Sequence, residues 1–169
     1  MRRGPTPLRA SRPFRRTRSL MRFVRQSRIP APPQVVFAFH ESPGALTALI
    51  PPWENMRVVE SANSLRPGSR VVLAGRVGPF PIRWVAEHTT YEPPHEFVDV
   101  QRSGPFALWE HRHRFLDDGE GGTILRDEVE YRLPFGVVGQ FLAGQLVRRQ
   151  LERMFDFRHS TTRQLVTTP

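Results

Sequence analysis

The chain has 169 residues, a formal net charge of +9 and no cysteine. Its length suffices for one domain with a sizeable core, and the lack of cysteine excludes a disulfide framework, a thiolate nucleophile and a Cys-ligated zinc. All 25 basic residues are arginine, ten of them within residues 1–28, which hold no acid, while residues 29–169 carry 15 arginines against 16 acids. The folded body is therefore close to neutral, and nucleic acid is not an expected partner for it. No apolar run approaches a membrane span, so a cytoplasmic location is expected.

Residues 1–20, MRRGPTPLRASRPFRRTRSL, combine Arg, Pro and Ser without an apolar period, which is a composition of disorder. No apolar h-region follows the charges, so a secretory signal is not expected. Three readings compete: a mis-assigned start, a tail that touches anionic polymer or lipid, and a transit peptide. The first is favoured because Met21 directly precedes an alternating strand at 22–28. The domain is expected over 21–166.

Pro30, Pro32 and Pro33 end that strand and suit a helix start. Val35, Val36, Phe37 and Phe39 predict a short helix, and 42–50 a second, with Ser42 as N-cap and Pro43 at its first position. Pro51-Pro52 stops it. Trp53 follows, capping one end of a pocket or packing on the core. The period then changes. Segments 56–61, 69–77, 80–91, 96–102, 106–116 and 123–133 read as strands. Pro67-Gly68, Gly78-Pro79, Pro93-Pro94, Gly104-Pro105 and Asp118-Gly119 are the turns between them. Consecutive strands on short turns make an antiparallel meander rather than βαβ units. With the edge strand the sheet has seven.

Pro134 ends the sheet. From about 137 to 165, Val137, Phe141, Gly144, Val147, Leu151 and Phe155 recur in steps of three or four, as on one helix face. That helix is roughly 40 Å long at about 1.5 Å per residue, and should bury its stripe against the concave face of the sheet. The fold class is α+β, a seven-stranded antiparallel sheet wrapped around a long C-terminal helix, with two short helices after the first strand.

Particular residues sharpen this. Ile29-Pro30-Ala31-Pro32 stands before Val36-Phe37, followed by Pro51-Pro52-Trp53, Trp84 and Tyr91-Glu92-Pro93-Pro94. Phe97, Asp99, Gln101, Gly104-Pro105-Phe106, Trp109, His111 and His113 continue the series, and Gly122-Thr123, Asp127, Tyr131 and Leu133-Pro134 complete it. In these residues and in element order the chain resembles the helix-grip, START-like superfamily called SRPBCC. That superfamily includes birch-pollen-allergen-like proteins, polyketide cyclases and coenzyme-Q-binding START-like proteins. The resemblance is to a bacterial branch more than to any enzyme subgroup. It implies a pocket between sheet and long helix. It implies no single ligand, because the superfamily binds lipids, sterols, quinones and polyketides and fold alone does not fix function.

Strand faces nominate the residues of that pocket. In 106–116, Glu110, Arg112 and Arg114 share one face, and Trp109, His111, His113 and Phe115 the other. Charges belong in water, so the aromatic face points inward. A dry core prefers Val or Leu there, so Trp beside His suggests a cavity that holds water or a ligand. Arg83 and Glu87 likewise turn Ile82, Trp84, Ala86 and His88 inward, and Arg126, Glu128, Glu130 and Arg132 turn Leu125, Asp127, Val129 and Tyr131 inward. In 97–102 a one-residue slip exchanges the faces; Asp99 and Gln101 are taken as inward. With Phe115 opposite Leu125, His113 falls opposite Asp127 and Trp109 opposite Tyr131, within hydrogen-bonding reach for the His–Asp pair.

The expected ligand-lining set is Trp84, His88, Asp99, Gln101, Trp109, His111, His113, Asp127 and Tyr131, with Phe141 and Gly144 from the long helix. The expected function is to bind a mostly apolar small molecule, lipid-, quinone- or polyketide-like, without a cofactor, as a monomer or weak dimer. The alternative is a metal-free cyclase or dehydratase in which Asp127 raises the basicity of His113. A third class is an interaction protein that binds through its Arg-rich tail. His-x-His offers two metal ligands, but the third, Asp127 or Asp99, depends on an unsettled register, and no metal is expected.

Overall fold

The computed structural model describes residues 20–77 and 79–168, so the readings placed on the Arg-rich segment lie outside the described residues. In chain order come β1 (Met21–Ile29), α1 (Pro33–Glu41), α2 (Ala45–Ala48), β2 (Met56–Ser61), β3 (Arg70–Val77), β4 (Phe80–Glu92), β5 (Glu96–Ser103), β6 (Leu108–Asp117), β7 (Thr123–Arg132) and α3 (Gly136–Thr167). The strands form one seven-stranded sheet in the order β1-β7-β6-β5-β4-β3-β2. Hairpins join each neighbour from β2 to β7. β1 reaches across to pair antiparallel with β7, from Met21 opposite Tyr131 to Ile29 opposite Thr123.

Charge alternation sets the wet face. Arg112 and Arg114 both reach Glu96 at 2.9 Å, Arg126 reaches Glu128 at 2.8 Å, and Arg70 and Arg102 meet Glu87 at 2.6 and 2.8 Å. Such exposed pairs each contribute little stability. They nonetheless commit the register, because a one-residue slip would bury the whole row. The opposite face packs in two groups. One is built on Ile29, Val36, Phe37, Phe97, Phe115 and Leu125 beside α1, the other on Phe23, Trp109, Val129, Tyr131, Leu151 and Phe155 beneath α3.

Two local expectations change. Ser42 closes α1 rather than opening a second helix: its N–H donates to the Phe39 carbonyl at 3.0 Å and its hydroxyl to the same oxygen at 2.6 Å. The chain restarts through Gly44 at φ 85, where a side chain would be strained, and α2 is a single turn. In α3, Leu151, Phe155, His159 and Thr162 are buried as the stripe requires, but Val137 and Phe141 are 61% and 89% exposed. At 3.6 residues per turn Phe141 lies about five full turns before the buried His159 and shares its direction, and Val137 shares that of Phe155. Both are therefore uncovered because of what lies beneath them. α3 runs alongside β1 in the same sense, with a Cβ on Gly144 placed 3.8 Å from the Met21 sulfur, Asp156 paired with Arg25, and His159 bonded to Ser27. Met21 is the first residue of β1, so the turns before Gly144 run past the end of that strand.

Candidate functional site

The inner face of the sheet brings β4, β5, β6 and β7 together at one polar cluster. The register places Asp99 opposite His111, Phe97 opposite His113, His113 opposite Asp127 and Trp109 opposite Tyr131. The inward reading of Asp99 therefore holds, as does the proposed pairing of β6 with β7.

Asp127 is the hub. Its Oδ1 accepts from His111 Nε2 at 2.8 Å and lies 2.9 Å from His113 Nδ1, and its Oδ2 accepts from His159 Nε2 at 2.6 Å. His159 Nδ1 lies 2.9 Å from the Ser27 hydroxyl. A carboxylate only accepts, so each imidazole carries a proton on the nitrogen that faces Asp127. The far nitrogens of two rings then face Asp99: His113 Nε2 lies 3.2 Å and His111 Nδ1 3.6 Å from its Oδ2.

The electrostatics follow from this crowding. Burial opposes the charge on Asp127, but His113 and the hydrogen bonds of His111, His113 and His159 outweigh it and hold the carboxyl well below the usual range. Asp99 is lowered against burial by the hydrogen bond from His113 and the neighbouring His111 and His88. Burial also opposes charge on His113, yet Asp127 and Asp99 raise it, whereas burial and the adjacent His113 lower His111. The same surroundings thus favour a charge on His113 and disfavour one on His111. His88, buried opposite Asp99 with Nδ1 3.4 Å from the Ser69 carbonyl, is lowered by burial. His40 on α1 donates from Nδ1 to the Val36 carbonyl at 2.8 Å, and burial pushes it to about 4.

Beside the cluster stands an aromatic wall. Trp84 meets Trp109 edge-on at 5.0 Å and Phe106 at 5.5 Å, and Tyr131 meets Phe106 edge-on at 5.8 Å. Protein fills much of the space expected as a cavity: Phe155 packs on Phe23 at 5.3 Å and edge-on to His111 at 5.1 Å. Open space lies farther along, in a groove of about 340 Å³ bordered by Met21, Tyr131, Gln140, Gly144 and Arg148.

The nominated residues divide accordingly. Trp84, His88, Asp99, Trp109, His111, His113, Asp127 and Tyr131 gather on the inner face, and Gly144 borders the groove. Gln101 is engaged elsewhere, because its amide donates to the Phe106 carbonyl at 2.7 Å and accepts from the Phe106 N–H at 3.3 Å, bracing the turn between β5 and β6. Phe141 is exposed. Trp53 is half in solvent, edge-on to Phe157 at 5.3 Å and beneath Arg153, so it clamps α3. The sequence reading omitted His159, His40 and Arg158. His159 was within reach, one step of four beyond Phe155 on the stripe. Arg158, half-buried over Phe155 with its Nε shut off and unpartnered, carries no sequence signal.

The sequence profile of the family described as polyketide cyclase/dehydrase and lipid transport matches residues 29–155, and the chain belongs to that family. Its fold is the helix grip of the START-like superfamily. A Thermus thermophilus protein superposes with a TM-score of 0.67 at 20% identity, over 86% of this chain and 97% of that one. Norcoclaurine synthase from Thalictrum flavum, solved with dopamine and hydroxybenzaldehyde, gives 0.67 at 12% identity over 96% of each chain. The di-domain ARO/CYC BexL from the BE-7585A biosynthetic pathway gives 0.66 at 20% identity, over 89% of this chain and 51% of that one. At these identities the likeness establishes the fold. No curated protein matches the sequence. Among the described residues, no helix is long and apolar enough to cross a membrane.

Proposed function

We propose that the chain binds a small, mostly apolar molecule with a polar head, of lipid, quinone or polyketide type, between α3 and the sheet. One observation carries this: a single inner face sets the Trp84–Phe106–Trp109–Tyr131 wall directly beside the His111–His113–Asp99 cluster. Apolar body and polar head are thus served by adjacent surfaces, the usual make-up of a small-molecule site. The groove beside Tyr131 gives the body a way in. His113 and Asp99 keep 12% and 15% of their side chains accessible and receive the head.

A second reading is favoured by one feature, the clasp of His113 between two carboxylates. Asp127 and Asp99 hold its ring in one orientation, as a general acid or base requires. In a cyclase or dehydratase reaction, His113 would exchange a proton with the bound molecule. Native mass spectrometry followed by organic extraction identifies what co-purifies, and the extracted compound is then returned to wild type and to His113→Gln. Carrier function predicts binding weakened about tenfold in the variant, the worth of one charged hydrogen bond at about 1.4 kcal/mol. Catalysis predicts binding retained and turnover lost. A protein that carries no organic molecule, and whose tryptophan fluorescence responds to no fatty acid, quinone or aromatic polyketide, refutes both.

A further inference from the structure

We propose that Asp99 Oδ2, His111 Nδ1 and His113 Nε2 form a site for a divalent ion of zinc type, oriented from behind by Asp127. The three residues come from two paired strands, and one ligand atom of each lies within 4.8 Å of the other two. The measured edges are 3.2 Å from His113 to Asp99 and 3.6 Å from His111 to Asp99. Tetrahedral zinc with bonds of about 2.0–2.1 Å sets its ligands about 3.3 Å apart, so both measured edges already have about the length such an ion needs.

Hydrogen-bond accounting points the same way. Asp127 claims the protons on His111 Nε2 and His113 Nδ1, which leaves three acceptor atoms facing one another. A proton on His113 Nε2 satisfies only the edge to Asp99. His111 Nδ1, 3.6 Å from Asp99 Oδ2, stays beyond hydrogen-bond reach of it. One cation at the centre satisfies all three atoms. Metal-bound histidines characteristically donate their other N–H to a carboxylate, and here one carboxylate serves both rings and is itself fixed by His159 and Ser27. Two buried carboxylates and one divalent ion also balance in charge. The sequence expectation of no metal rested on an unsettled third ligand, and pairing of Asp99 with His111 supplies it.

Three protein ligands leave a fourth position for an oxygen donor. Placing the head group of the bound molecule there, as a hydroxyl, enolate or carboxylate, is the only part that rests on the proposed binding function.

The test uses the full chain, freed of metal by chelator and dialysed, then titrated with Zn2+ and separately with Co2+. The expected result is one equivalent per chain, with a tetrahedral Co2+ visible spectrum and with His111 and His113 ring resonances shifting together while His95 stays put. Asp99→Asn, half-buried and close in shape, should keep its circular dichroism and lose at least about tenfold in affinity, since loss of even an outer-shell partner costs that much. Should that variant fail to fold, the joint shift of the two rings in the wild type decides. Less than a tenth of an equivalent bound, or ring shifts confined to other histidines, overturns the site. Metal bound without any organic ligand leaves the site standing and counts against the binding function, so the two ideas fail separately.

Discussion

Three imidazole nitrogens press on the two oxygens of Asp127, and the cost of disturbing that arrangement is large. In Asp127→Asn one of the oxygens becomes an NH2 group that faces a ring N–H, so a buried donor meets a donor. Breaking a buried pair of this kind costs about 3 kcal/mol or more. At about 2–4 °C per kcal/mol for a chain of this size, the melting temperature should fall by roughly 6–12 °C, and a drop under about 2 °C would show that the ring N–H groups find other partners. Asp118 behaves differently. The N–H groups of Glu120 and Gly122 and the side chain of Arg28 hold its carboxyl below the ordinary value. A depressed carboxyl stabilises the fold above its unfolded pKa of about 3.9 and loses that contribution as pH falls through the folded value. Glu120, also paired with Arg28, is the other acid facing it. The wild type should therefore melt above Asp118→Asn at pH 6, and the gap should close on acidification below about pH 4; a gap constant with pH would remove the ion pair from the account. Much of the site was legible residue by residue, because Glu110, Arg112 and Arg114 alternate with Trp109, His111 and His113 and fix the facing of β6. For Gln101 alternation gives the side chain's face but not its partner, here the backbone of Phe106.

A helix is held only where something lies beneath it, and α3 shows both conditions. Its later turns seat Leu151, Phe155, His159 and Thr162, while Val137 and Phe141, on the same side near its start, are exposed, as is Leu142. Phe155→Ala should cost about 3–5 kcal/mol through the cavity it leaves, whereas Leu142→Ser should change stability by no more than about 0.5 kcal/mol. Chemical denaturation of the two variants separates these figures by a wide margin. Amide exchange should show the same gradient, with residues 151–162 protected far longer than 138–146; uniform protection along α3 would mean that the first turns have a cover of their own. The period of the stripe was legible in the sequence. Where β1 stops beneath the helix was not, because that limit is set by Met21, more than a hundred positions away.

At the scale of the molecule, the fold was legible because turn chemistry punctuates the strands so regularly. Pro67-Gly68, Pro93-Pro94, Gly104-Pro105 and Asp118-Gly119 all fall at or between strand ends. The order of elements then leaves few topologies for a long apolar-striped helix. What the strands could not reveal was that protein side chains fill much of the space between sheet and helix, since packing of Phe155 on His111 is a tertiary fact. Among the described residues the packed elements begin at Met21, so a chain starting there should melt within about 2 °C of the full one; a loss of several degrees would give residues 1–20 a structural role. Pairing of β1 with β7 has a consequence for how the molecule is made. Every other strand pair joins neighbours in the chain, but Ile29 must wait for Thr123. At about 5–20 residues per second, a ribosome leaves β1 without its partner for roughly 5–20 s. During that interval Phe23 and Ile29 are uncovered beside a run of unpaired backbone groups, a target for a chaperone or for another nascent chain. The first strand made is the last one placed.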